Sequence, residues 1–322
     1  MSLVSNLLYM LVLLGVGIAG RSLGVLTPSR RELLNALAFY VALPALIFSS
    51  TYAQQLDEVL TPALLAGLWS VLVVMVAAGW IVHRSARSNR ERSVAVVQSY
   101  HGNLGFFGLP IVAATFGDLT TAKASILLGM GALTQVPLTI LILVVLNDRD
   151  ASFVDELRQF TKNPVILSLA AGVTVSLISV SVPDVAVAGV SIPDVAATVF
   201  GVATTGLDVL SQLALPIAVI CVGGALSLES ADVDRSTVGS VVALKVFLMP
   251  AVALAAFSLL ASSPSTVRAG VVMLAMPSAV STYVYATEYG GDERLASVDV
   301  FATTIVSLVT IFVLLRFVIG TG

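Results

Sequence analysis

Hydrophobic residues in this chain form long uninterrupted runs, and polar residues are concentrated in the short segments between them. A helix needs about 20 consecutive apolar residues to cross the hydrocarbon core of a bilayer. This pattern predicts ten membrane-spanning helices, which we call spans 1 to 10. Their expected ranges are residues 3–24, 33–52, 61–82, 93–116, 121–146, 163–181, 196–228, 236–261, 266–289 and 294–319. We therefore expect an all-α polytopic membrane protein.

The composition supports this fold class and excludes several functions. Of the 322 residues, 57% are apolar and only 11% are charged, whereas about 25% are charged in soluble domains. The net charge of −3 and the lack of a basic cluster argue against nucleic acid as a partner. The sequence has no HExxH or CxxC motif, no nucleotide-binding loop and no pattern of catalytic residues. We expect no metal, no cofactor and no enzymatic activity.

Lysine and arginine are distributed unequally between the two sets of loops. Twelve lie in loops that follow odd-numbered spans, and three lie on the opposite side, at Lys123, Arg268 and Arg316. Cytoplasmic loops carry an excess of these residues in membrane proteins. We therefore expect a multi-pass protein of the cell membrane whose two termini are extracellular. The polar loop at residues 147–163 is expected to be cytoplasmic.

The chain divides at that loop into two halves of five spans each, residues 1–150 and 151–322. Because five is an odd number, the second half is expected to be inverted relative to the first. Short matches at a constant offset support a duplication: Ala42-Leu43-Pro44 matches Ala214-Leu215-Pro216, and Ala124-Ser125 matches Ala296-Ser297, each 172 residues apart. Inverted repeats of this kind are typical of secondary transporters.

Spans 4 and 9 contain residues that interrupt helices. Span 4 has three glycines and Pro110 within residues 101–110, and span 9 has Pro277 followed by small and hydroxyl residues. Backbone groups freed by a break cannot face lipid, so they line a cavity or pack against protein. Half-helix ends at corresponding places in two repeats indicate a midplane site, and their N–H groups suit an anion. The alternative is that these residues only kink the helices.

The same residues resemble the auxin efflux carrier family, which belongs to a superfamily with the bile-acid/sodium symporters. The resemblance covers nearly the whole chain. Its most specific element is Gly102-Asn103 followed by Gly108-Leu109-Pro110, in which an asparagine precedes a proline by seven residues. Further similar segments are Asn35–Pro44, Asn163-Pro164, Lys245 with Pro250, and Met276–Tyr289. The short central loop is typical of prokaryotic members.

The resemblance implies a function and a mechanism. It implies a homodimer in which a scaffold of spans 1, 2, 6 and 7 supports a moving transport domain of spans 3–5 and 8–10, with spans 4 and 9 broken and crossing. The implied activity is secondary active or facilitative efflux of small organic anions, auxin-like or mono- and dicarboxylic, by elevator-type alternating access. The alternative is a sodium- or proton-coupled symporter or antiporter of the bile-acid type.

Polar residues near the expected crossing are the candidates for binding the substrate. Asn103 either donates to a substrate carboxylate or caps the broken helix. Gln135 either reaches the site or bonds across helices. The resemblance places the hydroxyls at the end of span 2 in the cavity, and the alternative is that they bond back to their own helix. The expected substrate-binding set is Asn103, Gly102, Gly108, Pro110, Gln135, Ser49, Ser50, Pro277, Ser278 and Ser281.

Three ionisable residues within the spans are candidates for coupling. His101 either couples transport to protons or is simply a hydrogen-bonded histidine. Lys245 and Asp299 are costly inside a membrane, so each needs a partner or a function. We expect them to form an ion pair, and the alternative is that Asp299 binds a coupling cation.

The charge distribution makes a direct prediction about topology. A cysteine introduced by Ser152→Cys should not react with a membrane-impermeant maleimide added outside intact cells, because its loop is expected to be cytoplasmic. The same reagent should label it after the cells are permeabilised. Ready labelling from outside would show that the predicted orientation is wrong.

Overall fold

The computed structural model describes residues 3–149, 161–179, 186–187, 190–225, 233–260 and 263–318. These residues are helical apart from loops and one short antiparallel hairpin, β1 (Ala186–Val187) with β2 (Val190–Ser191). The helices up to residue 149 are α1 (Leu3–Ser22), α2 (Pro28–Leu37), α3 (Leu43–Thr51), α4 (Leu56–Val59), α5 (Pro62–Val82), α6 (Asn89–Tyr100), α7 (Leu109–Thr115) and α8 (Asp118–Asn147). The later helices are α9 (Pro164–Ser179), α10 (Ile192–Ser211), α11 (Ala214–Ala225), α12 (Arg235–Val242), α13 (Met249–Leu260), α14 (Pro264–Leu274), α15 (Ser281–Glu288) and α16 (Glu293–Val313).

Six helical stretches in the described part are long and apolar enough to cross a membrane. They are Pro28–Thr51, Leu56–Ser85, Asp118–Asn147, Gly201–Ala225, Arg235–Leu260 and Glu293–Arg316. The prediction of a helical, multi-pass membrane protein is confirmed. The expected boundary between the halves at residues 150 and 151, and the labelling position Ser152, lie outside the described residues.

Helix starts follow from local sequence. Thr61 precedes Pro62, and its side-chain oxygen accepts a hydrogen bond from Leu64 N at 3.3 Å. Ser263 precedes Pro264 and accepts from Thr266 N in the same way. A hydroxyl at the N-cap satisfies an N–H that the helix leaves unpaired, and proline fits the first turn because it has no N–H to lose.

Three of the prolines inside the spans follow a widened helical turn. π-helical turns cover Ala38–Ala42, Leu104–Gly108 and Ala243–Leu248, and each ends two residues before Pro44, Pro110 or Pro250. A proline cannot donate to the carbonyl four residues earlier, and its ring clashes with that carbonyl. That carbonyl lies within the π-helical turn in all three cases, so the wider turn makes room for the ring.

Span 7 differs from the prediction. One helix was expected over residues 196–228, but α10 ends at Ser211 and α11 begins at Ala214. Pro216 lies in the first turn of α11, where its missing N–H costs nothing. Ser211 and Gln212 lie at the interruption, but apolar residues flank them on both sides, so the expected span continues across them.

The helices pack in two groups. In the first, α1 lies along α11, and α3 packs on α9 and α10. In the second, α5, α6, α8, α13 and α14 pack together, and α16 contacts α6, α12 and α15. Close approach in the first group depends on glycine, because a Cβ on Gly17 would lie 2.9 Å from the Cα of Gly223.

Loop contacts show which connections share an end of the molecule. At one end, Lys123 Nζ donates to Ser263 and Thr266 at the start of α14. At the other end, Arg87 pairs with Asp234 at 3.4 Å, and Arg90 donates to the carbonyl oxygen of Gly290. The loops that follow predicted spans 3, 7 and 9 therefore meet at one end, away from Lys123.

Two glycines of α1 provide a matched test of the α1–α11 contact. Gly17→Ala should lower the midpoint of thermal unfolding of the purified protein, with a cost of about 1–3 kcal/mol, because the new methyl group meets the α11 backbone. Gly15→Ala should be neutral or stabilising, because nothing lies within 4 Å of its Cβ position. Equal effects of the two changes would contradict this packing.

Candidate functional site

Both expected breaks are present, and they lie against each other. Span 4 is interrupted between Tyr100, the end of α6, and the π-helical turn that begins at Leu104. Span 9 is interrupted between α14 and α15, over residues 275–280. Two antiparallel hydrogen bonds join them: Asn103 N donates to the carbonyl of Pro277 at 2.8 Å, and Ala279 N donates to the carbonyl of His101 at 3.0 Å. Each break therefore supplies main-chain partners to the other.

A cavity of about 590 Å³ lies beside this junction. Five residues singled out from the sequence line it: His101, Gly102, Asn103, Gln135 and Ser281. The described lining contains no lysine or arginine. Any anion held there would be bound by neutral donors and helix dipoles rather than by a direct charge.

Asn103 caps the interrupted helix and also lines the cavity. Its Oδ1 accepts a hydrogen bond from Phe106 N at 3.1 Å, and its side chain is 6% exposed. The capping interpretation is therefore confirmed, but it uses only the oxygen of the amide. Within the described residues the Asn103 Nδ2 group forms no hydrogen bond, so its two protons are available to a ligand.

Gln135 is oriented in a similar way. Its Oε1 accepts from Gly102 N at 2.9 Å, so α8 supports the break in span 4. Its Nε2 is buried and finds no hydrogen-bond partner in the described part of the chain. Gln135 therefore bonds across helices, and it also lines the cavity.

His101 belongs to a buried hydrogen-bonded group. Its Nδ1 lies 2.8 Å from Thr139 Oγ1, which also lies 2.9 Å from the hydroxyl of Tyr100. His101 and Tyr100 are consecutive residues at the end of α6, and Thr139 belongs to α8. This hydroxyl therefore holds the last turn of α6 against α8.

The sequence profile of the family described as "Membrane transport protein" matches residues 4–156 and 153–315. The chain belongs to this family, which contains the auxin efflux carriers.

Similar proteins include transporters from archaea and bacteria. An uncharacterized transporter of Methanothermobacter thermautotrophicus is 27% identical over 95% of both chains. A putative malonate transporter of Rhizobium meliloti is 26% identical over 86% of this chain and 84% of its own. An uncharacterized transporter of Methanocaldococcus jannaschii is 24% identical over 94% and 95%. The transporter described here is thus similar to prokaryotic members.

Four residues expected at the substrate do not line the transporter's cavity. Gly108 packs on methionines, because a Cβ there would lie 2.9 Å from Met273 Sδ. Pro110 is fully packed in the core at the start of α7. Pro277 acts through its main-chain carbonyl, and Ser278 Oγ donates to the carbonyl of Gln98 at 2.8 Å. These residues shape the break rather than contact the cavity.

The hydroxyls at the end of span 2 also lie outside the cavity. Ser50 Oγ bonds to Ser125 Oγ at 2.8 Å and to the carbonyl of Ile47 at 3.0 Å. Ser49 Oγ is buried and has no hydrogen-bond partner among the described residues. For Ser50 the alternative of bonding back to its own helix is correct.

The expected ion pair between Lys245 and Asp299 is absent, so that hypothesis is wrong. Lys245 is fully buried, and its Nζ lies 3.5 Å from the carbonyl of Tyr100 and 3.4 Å from that of Leu274. These carbonyls end α6 and α14, where the helix dipole is negative. The ammonium group therefore compensates the negative dipole at the ends of both half-helices. Gly102 leaves room for this group, because a Cβ at position 102 would lie 3.0 Å from Lys245 Nζ.

Several lining residues were not singled out as site residues from the sequence. They are Glu32, Asn35, Asn163, Cys221 and Tyr285. Asn35 and Asn163 each lie near the start of a span, in segments quoted for the family resemblance. A side-chain amide near the start of a membrane span is the sequence signal that could have identified Asn35 and Asn163.

The hydroxyl of Thr139 gives a test of the support behind the break. Thr139→Val keeps the volume but removes the partner of Tyr100 and His101, and we expect a loss of about 1–3 kcal/mol in stability. Thr174→Val is the control, because the exposed Thr174 bonds only to its own helix. Thermal unfolding of the purified variants measures the difference, and equal midpoints would show that this bridge contributes nothing.

Proposed function

We propose that this chain is a secondary transporter of small organic anions and that the cavity is its substrate site. The observation that carries the proposal is the pair of amide NH₂ groups, Asn103 Nδ2 and Gln135 Nε2. Each amide oxygen accepts from a main-chain N–H of the interrupted span, which leaves each NH₂ group available. A carboxylate accepts hydrogen bonds but donates none, so it complements these donors.

The surroundings favour weak binding of an anion. Lys245 lies behind Gly102 rather than in the cavity lining, so its charge acts without direct contact. Glu32 is exposed at the rim and opposes anions there. We expect dissociation constants from roughly micromolar to millimolar. Such affinity suits a carrier that must also release its substrate. The relative named as a putative malonate transporter makes short dicarboxylates the first candidates.

We propose ten spans arranged as two inverted five-span repeats, residues 1–150 and 151–322. The two interruptions support this arrangement, because they lie in the fourth and ninth predicted spans and pair through Gly102 and Ser278. Pro44 and Pro216 support it too, since each lies in a first helical turn, of α3 and α11. Inverted repeats with paired broken helices place a substrate near the bilayer midplane.

We propose elevator-type alternating access for this transporter. The first packing group corresponds to the scaffold spans 1, 2, 6 and 7, and the second to the transport spans 3–5 and 8–10. The cavity has lining residues from both groups, such as Phe39 and Val222 on one side and Asn103 and Gln135 on the other. Its rim includes Glu32 and Asn163, at the end that the charge bias assigns to the cytoplasm. We therefore assign an inward-facing state, extracellular termini in the cell membrane, and a homodimer as the family resemblance implies.

A proton- or sodium-coupled symporter or antiporter is the second candidate. The observation that favours it is the carboxylate of Asp299, which is fully buried and has no partner among the described residues.

Binding of malonate to purified protein tests the substrate site. Asn103→Asp and Gln135→Glu keep the oxygen that accepts from the backbone, but they replace the NH₂ donor with a negative oxygen. We expect each to weaken malonate binding by at least about 10- to 150-fold. Asn103→Ala should lose the donor without adding charge and should be less severe.

The matched control is Gln55→Glu, an equal change of charge at an exposed position. It should bind malonate as the wild type does, and uncharged malonamide should not bind to any variant. If malonate and other short carboxylates bind to Asn103→Asp and Gln135→Glu as tightly as they bind to wild type, the substrate does not lie at these amides. The assignment of the substrate site would then be wrong.

A further inference from the structure

A second polar cluster lies behind the junction, away from the cavity. Asp299 of α16 is 0% exposed, and neither of its carboxylate oxygens has a hydrogen-bond partner within the described residues. Gln98 of α6 is equally buried, and its Oε1 is also unpartnered there. Neither residue lines the cavity. Two buried acceptor groups without donors are costly inside a membrane and therefore indicate a missing ligand.

Gln98 is held beside the helical turn that carries Asp299. Its Nε2 donates to the carbonyl of Ala296 at 3.0 Å and to Thr282 Oγ1 at 2.9 Å. Ala296 and Asp299 are three residues apart on one helix, so they share a face. Because both protons of Nε2 are used, the orientation of the amide is fixed and its oxygen is left as an acceptor.

This cluster is connected to both interruptions. Thr303 Oγ1 donates to the main-chain carbonyl of Asp299 at 2.7 Å and accepts from Ser278 N at 3.3 Å. Ser278 Oγ donates in turn to the main-chain carbonyl of Gln98. Gln98 lies two residues before Tyr100, the last residue of α6. The helical turn that carries Asp299 is therefore hydrogen-bonded, through its main chain, to groups that hold the two breaks together.

The neighbouring charges do not neutralise Asp299. Glu91 of α6 and Asp292 at the N-cap of α16 act on it electrostatically, and both are acidic. Lys245, in the π-helical turn that packs on α16, contacts the carbonyls of Tyr100 and Leu274 instead. Two arginines of α6 are engaged elsewhere: Arg90 donates to the carbonyls of Gly290 and Gly291, and Arg92 lies over the Trp80 ring. The other charged residues on α16 and the helical segments packed on it are Arg235, Glu288, Glu293, Arg294 and Arg316. No ion pair joins any described cation to Asp299.

We propose that Asp299, with Gln98 beside it, is a proton-binding site that couples the interrupted helices to protons. One proton from water binds one carboxylate oxygen to give a neutral carboxyl group, and it returns to water on release. A proton needs one oxygen atom to bind to, whereas a sodium ion needs a shell of several oxygen ligands. The coupling role rests on the proposed function, but the proton site itself does not.

Infrared spectroscopy of the protein in lipid bilayers tests the proton site without any substrate. Near neutral pH, the wild type should show the C=O stretching band of a buried protonated carboxyl group, and Asp299→Asn should lose it. Asp208→Asn is the control, because Asp208 is exposed on α10 and should not contribute to the band. A wild-type spectrum without the band, or an Asp299→Asn spectrum that keeps it, would overturn the proposal.

Thermal unfolding provides a second measurement that distinguishes a proton from sodium. A carboxyl protonated only in the folded state makes folding take up a proton, so wild-type stability should fall as pH rises above the ordinary range of aspartate titration. Asp299→Asn imitates the neutral form and should lack this part of the pH dependence. A stabilisation by sodium over potassium that disappears in Asp299→Asn would instead establish a sodium site and reject the proton.

Proteoliposomes containing a pH-sensitive dye test the coupling, with malonate as the probe. Wild type should move protons together with malonate, and Asp299→Asn should move malonate with no accompanying proton flux. Malonate transport that carries no protons in either protein would reject the coupling while leaving the proposed function intact. Absence of malonate transport by wild type would count against that substrate, and the infrared band would still decide the proton site.

Discussion

Backbone N–H and C=O groups inside a membrane must find partners in protein, because the hydrocarbon offers none. The junction at Gly102 and Ser278 depends on this constraint. Each interrupted span leaves main-chain groups unpaired, and the other span supplies the partners through Asn103, Pro277, His101 and Ala279. The cavity is available to a ligand because the backbone beside it is already satisfied.

Side-chain amides, rather than charges, complete the junction on its cavity side. Asn103 and Gln135 each use the oxygen for the backbone, and neither NH₂ group has a hydrogen-bond partner in the described part of the chain. On the opposite side, the Lys245 ammonium lies at the negative ends of α6 and α14. The positive charge of Lys245 is thus kept behind the junction, and neutral donors lie beside the cavity. Electrostatic attraction without a direct ion pair limits affinity, which suits the proposed release of substrate by a carrier.

The helical fold and both breaks could be predicted because long apolar runs and clustered glycine and proline have direct structural consequences. The rotation of each helix could not. A helix that is apolar on all sides gives no periodic signal for the face that packs inward, so Ser49 and Ser50 were assigned to the cavity and Asn35 was not. The Lys245–Asp299 pair failed for a related reason. Depth along two helices can be counted from the sequence, but lateral direction cannot, and carbonyl groups at helix ends compete for a cation without any trace in the sequence.

The pairing of the two breaks also has a consequence for biosynthesis. Ser278 lies 176 residues after Gly102 in the chain, so it leaves the ribosome later. At typical elongation rates this delay is roughly 10 to 35 s. During that time span 4 has reached the membrane while the partner of its backbone does not yet exist. The main-chain groups of the break in span 4 therefore remain without these partners throughout this interval.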